Sequence, residues 1–320
     1  MKEFGGYLEL DQYHGKEYYP HFISLNCGRN CLAFLIESRK IEKVYLPYFL
    51  CDSVKHICQK YGVMSEHYHI DAAFKPVFKK ILKESEFLYV VNYYGQLNDD
   101  YLKHLKARYS NLILDYTQAF FQKPIENIDT IFTCRKYFGL ADGAYLSTDC
   151  MPVREYPVDV SYDRMSFILG RYEHPASEFY EEYVKNNDYF NSQPIKYTSR
   201  LTKNLLKGID YDFVKKRREE NFDYLHYRLG GKNQLSIKRP EGPFSYPFLT
   251  ENGYTIRKYL QDRNIYVAML WPEVREICNE KMTEYRLASD ILPLPIDQRY
   301  DQNDMRIIAD TVLELVSIYN

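Results

Sequence analysis

The sequence predicts an α/β protein, a mainly parallel sheet flanked by helices and followed by a smaller C-terminal α+β part. Three observations predict it. Short apolar, β-rich runs alternate with helical stretches through the first half, as in βαβ units whose sheet is covered on both faces. After Tyr156 the pattern changes to long polar-amphipathic segments. One apolar run, Asn111–Leu114, ends in Asp115, on the edge where open α/β sheets receive ligands.

Taken in order, the apolar spacing from Cys31 onward is helical, and Gly28 stands where that helix would open. Lys43–Leu46, Phe87–Val91, Leu112–Leu114, Thr130–Phe132 and Tyr145–Ser147 read as strands. Asp52–Tyr61 and Asp99–Tyr109 read as the helices between them. Residues 151–195 carry no readable pattern. Leu201–Leu229 forms one or two helices, with Leu201, Leu205, Ile209, Phe213 and Val214 on one face. The turn-rich Pro240–Pro247 leads into a strand around Phe248. Tyr254–Asp262 is then helical, Tyr266–Leu270 extended, and Asn303–Tyr319 a closing helix. The division this implies is a large domain over residues 1–195, including an N-terminal arm. Residues 196–320 then supply a long linking helix and a small domain.

Composition excludes several classes. The 320 residues carry a net charge of −2 with both signs mixed, so no nucleic-acid footprint is expected. Lys215–Glu220 is basic, then acidic, and reads as a solvated helix face. No run approaches the roughly 18 apolar residues of a membrane span. The opening Met1–Gly6 lacks an apolar signal region, so a cytoplasmic protein is expected. The 7 cysteines have no matching His or Cys pairs, so they read as reduced, buried thiols. His67 and His69 alternate along a strand with no third ligand, so no metal site is expected. Aromatic rings stack on sugars, but the 33 tyrosines are equally explained by compositional bias.

The candidate chemistry lies in three segments. In Phe132–Gly143, Lys136 stands between the apolar run Asp129–Phe132 and the glycine-punctuated run Gly143–Leu146, with Thr133 three residues before it. Lysine is normally solvated, so one held between core strands is either paired or chemically used. A desolvated amine loses its proton more easily and can attack a carbonyl. Upstream, Asp115 ends its strand, either as a turn or N-cap residue or as the carboxylate that pyridoxal phosphate needs at its ring nitrogen. Gln118 could then lie beside the ring hydroxyl. Near the start, Gly28 opens a helix whose free N–H groups form a phosphate site, with Arg29 and Asn30 as added donors. An ordinary loop-to-helix junction is the alternative.

In this order the three segments resemble the DegT/DnrJ/StrS-type sugar aminotransferases, fold-type I enzymes that use pyridoxal phosphate. Asp115-Tyr116-Thr117-Gln118-Ala119 is similar to the family's Asp-x-x-Gln-Ala signature. Val44–Phe49 resembles its strand-then-proline segment, and Val91–Gln96 its tyrosine-glycine segment after a strand. Ile265–Pro272 and Ile291–Ile296 resemble two stretches of its small domain, so the resemblance spans nearly the whole chain. It implies that Lys136 holds the cofactor as a Schiff base and moves the proton. It implies further that Asp115 pairs with the ring nitrogen and Gln118 with the ring hydroxyl, and that Gly28, Arg29, Asn30 and Thr133 take the phosphate. Tyr48 or Phe49 would cover the ring, Asn92 would stand in the cofactor pocket, and Arg200 would reach across a homodimer interface.

The departures mark a short, divergent member. Thr133-Cys134-Arg135 replaces a serine-containing stretch with His or Pro, and Ala141-Asp142-Gly143-Ala144 replaces Gly-Asp-Gly-Gly. Asn92 replaces a histidine, and Tyr197–Leu201 keeps only part of a cross-subunit segment. Sugar-dehydrating relatives carry histidine in place of the lysine, so Lys136 favours transamination. The implied activity is amino transfer from an amino acid to a keto-sugar, expected to be nucleotide-linked, by ping-pong kinetics, in surface-polysaccharide or amino-sugar synthesis. Elimination, decarboxylation or a non-catalytic binding role on the same scaffold are the alternatives.

Overall fold

The alternating apolar runs become strands of one eight-stranded sheet in the computed structural model, which describes residues 4–319. Met1, Lys2 and Glu3, at the head of the opening stretch, lie outside the described residues. The strands are β1 (Ile23–Leu25), β2 (Lys43–Pro47), β3 (Met64–Ile70), β4 (Pro76–Val77), β5 (Glu86–Val91), β6 (Leu112–Asp115), β7 (Asp129–Thr133) and β8 (Ala144–Ser147). Their order is β1-β8-β7-β6-β5-β2-β3-β4. The pairs from β3 through β2, β5 and β6 to β7 are parallel. Antiparallel pairs close both sides, β7 with β8, β8 with β1, and β3 with β4.

Central strands buried on both faces must be apolar throughout, and every residue of β5 and β6 is buried. The helices between them are α1 (Gly28–Arg39), α2 (Asp52–Lys60) and α3 (Asp99–Arg108). Asn98 opens α3 by accepting from Tyr101 N, with Asp99 and Asp100 in the first turn to complement its dipole. By contrast, α1 has neither a side-chain cap nor an acidic residue in its first turn. Its amino end keeps the positive pole of the helix dipole without a carboxylate to balance it, with Asn30 N turned back onto Cys27 O at 3.1 Å.

The unreadable stretch contains α4 (Ser166–Glu173) and α5 (Tyr180–Ser192). No residue of α4 is buried, and α5 buries only Asn186 and Phe190, so no apolar stripe existed to be read. The expected one or two helices after it are two, α6 (Arg200–Leu206) and α7 (Tyr211–Leu229). The chain breaks at Asp210, which caps α7 by accepting from Phe213 N at 2.9 Å. That break turns Phe213 outward, against the expectation of one shared apolar face. Beyond lie β9 (Tyr246–Leu249), α8 (Gly253–Asp262), α9 (Val274–Ile277), α10 (Thr283–Asp290), β10 (Ile291–Leu294) and α11 (Gln302–Tyr319). β9 and β10 pair antiparallel, and α11 packs on α7 and α8. Tyr266–Leu270 is not a strand. It has no ladder partner and runs into Trp271 at φ 57°, whose ring packs edge-on against Phe49 and Tyr93 of the large sheet's helical layer.

Asp142 ties the segment that leads out of the lysine region to α6. It is fully buried and accepts from Ser199 N and Ser199 Oγ, both at 2.8 Å, and from the Thr202 hydroxyl. Gly143 beside it adopts φ 115°, and a Cβ there would meet Thr202 Cγ2 at 3.0 Å. Asp142→Ala strands the buried Ser199 N–H and removes three bonds. Urea unfolding should show a loss of about 2–4 kcal/mol.

Candidate active site

The parallel strands deliver their carboxyl ends to one edge of the sheet, and the amino end of α1, without a side-chain cap, lies beside it. A Cβ built on Gly28 would lie 3.7 Å from Ile131 Cγ2 and 3.9 Å from Thr117 Cγ2, so the first residue of α1 rests on the ends of β6 and β7. Thr117 is the centre of the arrangement. Its N–H donates to Asp115 Oδ1 at 2.8 Å, and its hydroxyl accepts from Lys136 Nζ at 3.4 Å. Amine and carboxylate therefore flank one residue.

Asp115 is buried at 5% exposure, and its second oxygen accepts from Tyr89 OH at 2.8 Å. Burial, and then the Asp115 charge, push the Tyr89 phenol well above its ordinary value, so it stays protonated and donates. Gln118 is fully buried. Its Oε1 accepts from Tyr94 N at 2.9 Å, while its Nε2 has no hydrogen-bond partner among the described residues. A buried amide left half-satisfied is costly and points to a missing acceptor. Thr133 is buried at the last position of β7, opposite Ala144.

Several expectations are corrected. Lys136 is exposed, not desolvated between strands. It follows the end of β7, in a turn closed by Tyr137 N and Phe138 N donating to Cys134 O, which turns its side chain off the sheet. The aromatic group near its amine is Phe244, with the ring centroid 5.7 Å from Nζ. Nothing in the local sequence signals Phe244, which arrives from the turn before β9. Arg29 points away from the crevice and donates from Nη1 to Asn187 O at 2.8 Å, on α5. Asn30 is buried and bonds Asn26 Oδ1 at 2.6 Å and Pro194 O at 3.0 Å. Asn26 is fixed in turn by Asp159 at 3.0 Å. Burial opposes the Asp159 charge, but Asn26, Arg164 and Lys196 outweigh it and hold its carboxyl below the ordinary value.

Asn92 is also structural. Its Oδ1 accepts from Leu97 N at 2.8 Å and its Nδ2 donates to Gln122 Oε1 at 2.7 Å, which shapes the tight turn after β5. Tyr48 stacks on His67 and His69 of β3, on the side of β2 away from β6 and β7, and Phe49 packs into Tyr93 and Trp271. Neither ring is in contact with Lys136. Arg200 is exposed and lines a shallow cavity of about 290 Å³ with Asp159, Ser161 and Tyr162, a different place from the Lys136 crevice.

Burial raises the thiols of Cys27, Cys31 and Cys134 above the ordinary range, and all seven cysteines are unpaired. Among the described residues, no cluster of three His, Cys, Asp or Glu could hold a metal ion, and no helix is long and apolar enough to cross a membrane. Together the residues fit a phosphorylated aromatic aldehyde. The unsatisfied end of α1 suits a phosphate, the amine suits a carbonyl, and Asp115 and the orphaned Gln118 amide suit ring heteroatoms.

The chain has the fold of the pyridoxal-phosphate transferases of fold type I, a mostly parallel sheet flanked by helices with a small two-stranded sheet beside it. Neither a family model nor a curated protein sequence matches the chain. The solved structures do. A DegT/DnrJ/EryC1/StrS aminotransferase from Brucella abortus superposes with a TM-score of 0.62 at 12% identity, over 92% of this chain and 86% of that one. The sugar aminotransferase CalS13 from Micromonospora echinospora gives 0.60 at 15% identity, over 92% and 87%. NtdA from Bacillus subtilis, solved with bound cofactor PMP, gives 0.64 at 11% identity, over 92% and 73%. At these identities the likeness is one of fold.

Asn92→Ala should show the structural role of that side chain. It leaves Leu97 N–H unsatisfied, so urea unfolding should show a loss of about 1–3 kcal/mol.

Proposed function

We propose that this protein is a pyridoxal-phosphate-dependent aminotransferase that moves an amino group from an amino acid to a keto-sugar. The observation that carries the reading is the convergence of one amine, one buried carboxylate and one uncapped helix end around Thr117. The sugar is supported by the fold neighbours, one of which is a sugar aminotransferase. A nucleotide-linked sugar, a cytoplasmic setting and a role in surface-polysaccharide or amino-sugar synthesis belong to the same reading.

When bound, the cofactor supplies the electron sink that makes the substrate's Cα–H acidic. The chain supplies the rest. Gly28 N–H, at the amino end of α1, and the Thr133 hydroxyl would hold the phosphate. Asp115, its plane fixed by Tyr89 OH and Thr117 N–H, would face the ring nitrogen. Gln118 Nε2, without a partner in the protein, would donate to the ring hydroxyl. Lys136 Nζ would take the substrate's proton and return it, a general acid-base role. Thr117 Oγ1 orients that amine between transfers.

A single chain leaves Lys136 in water, and an open site weakens every electrostatic interaction in it. A second copy covering the crevice meets that need, with Arg200 as the cross-subunit contribution. A cofactor-free binding protein is the second reading, and the commitment of Arg29 and Asn30 to structural bonds favours it.

Borohydride reduction of the pyridoxal-phosphate-treated protein should add cofactor mass at Lys136, and Lys136→Ala should abolish that adduct without unfolding the chain. An amino-acid donor alone should convert the cofactor spectrum in full. Wild-type protein that forms no adduct would leave the binding reading, and an adduct surviving in the variant would remove Lys136 from the mechanism.

A further inference from the structure

The amine of Lys136 is exposed and held by one long hydrogen bond, so its location is set by the backbone that carries it. The adjoining residue, Tyr137, is held at every polar atom. Its N–H donates to Cys134 O at 3.0 Å, and its hydroxyl accepts from Phe120 N at 3.2 Å. Its carbonyl accepts twice, from Gln298 Nε2 at 2.9 Å and from Arg218 Nη2 at 3.3 Å, which uses both lone pairs. Both donors come from beyond the large sheet, Arg218 from α7 and Gln298 from the segment between β10 and α11.

Arg218 is an unusual group to find there. It is 2% exposed, and no carboxylate bonds it among the described residues. The acid whose charge it senses, Asp297, is held by Arg299 at 2.6 and 2.8 Å. The guanidinium instead spends its donors on carbonyls and one amide: Nε on Gln298 Oε1 at 3.0 Å, and Nη1 on Pro243 O and Phe244 O, each at 3.1 Å. Its face covers the Tyr137 ring at 4.6 Å. Burying a charge without a counter-ion is costly, and here the donors converge on the two neighbours of Lys136. One is the residue that follows it, and the other is Phe244, whose ring faces its amine.

We propose that Arg218 and Gln298 are positioning residues that aim Lys136 at the cofactor carbonyl from the C-terminal part of the chain. This rests on the aminotransferase reading. Attachment is a condensation in which the Nζ–C bond forms and the aldehyde oxygen leaves as water, with no oxidant or reductant consumed. A lysine whose backbone is free to shift attaches more slowly and presents the ring in more than one orientation.

The test uses the full chain with pyridoxal 5'-phosphate as the probe. Gln298→Glu keeps an acceptor for Arg218 Nε but, as a carboxylate, gives Tyr137 O no donor. Gln298→Met removes both functions, and Arg218 stays in place in each variant. Borohydride quenching at successive times, with mass spectrometry, gives the rate of attachment at Lys136. Visible circular dichroism per attached cofactor gives its orientation, which a loss of stability alone would not change. Both variants should attach about tenfold more slowly and lose half or more of the ellipticity per cofactor, with the Gln298→Glu melting temperature near wild type. Wild-type rate and ellipticity in Gln298→Glu would overturn the proposal while the aminotransferase reading stands. No adduct in the wild-type protein would overturn both.

Discussion

Asp115 is held in one orientation at the mouth of a largely apolar sheet because each of its oxygens has a donor of its own. Tyr89 OH approaches one from the neighbouring strand, and Thr117 N–H approaches the other from two residues on. A buried carboxylate without such donors would bear the full desolvation cost of its oxygens. With them, its direction is set by the register of β5 on β6, in which Val91 stands opposite Asp115. Thr117 then carries that direction outward to the Lys136 amine. The crevice is one connected object, built from a short loop and three strand ends.

The support behind that object is largely polar and lies outside the sheet. Asp142 holds the exit from the lysine segment onto α6, and Arg218 and Gln298 hold Tyr137 from α7 and the C-terminal segment. Glu284 of α10 accepts from Ile70 N at 2.8 Å at the end of β3, and Glu273 accepts from Asp52 N at 3.0 Å at the start of α2. The C-terminal part is therefore fastened to both sides of the sheet's carboxyl edge. Each fastening places a polar side chain against a backbone group that has no partner in its own element, which is where single bonds matter most.

α4 and α5 differ in kind from the rest. Among their apolar side chains only Phe190 is buried, while Leu169, Tyr172, Tyr180 and Tyr183 are exposed, and α5 is otherwise held by hydrogen bonds of Asn186, Asn187 and Tyr189. Arg29 and Arg135 both end on Asn187, at 2.8 and 2.5 Å, instead of on a ligand or an acid. The arginine that sequence placed at the phosphate thus serves to seat a helix.

What sequence alone determined follows from periodicity and from chain-local chemistry. Continuous apolar runs mark doubly covered strands, so β2, β5, β6, β7 and β8 were legible to within a residue or two. An acid that closes a strand, a glycine that opens a helix and a lysine after a strand were legible as a set, because parallel strands must all deliver their ends to one side. Tertiary structure decided where the remaining donors point. Asn30, Asn92 and Arg29 are the right types at the right distance along the chain, yet nearby Asn26 and Leu97 and the distant Pro194, Gln122 and Asn187 claim them first. Tyr89, Phe244, Arg218 and Gln298 came to the site unseen, since contacts across about 26 to 160 residues leave no local spacing to read. A side chain's partners depend on which surfaces folding brings within a hydrogen bond's reach, and only the closed fold specifies those.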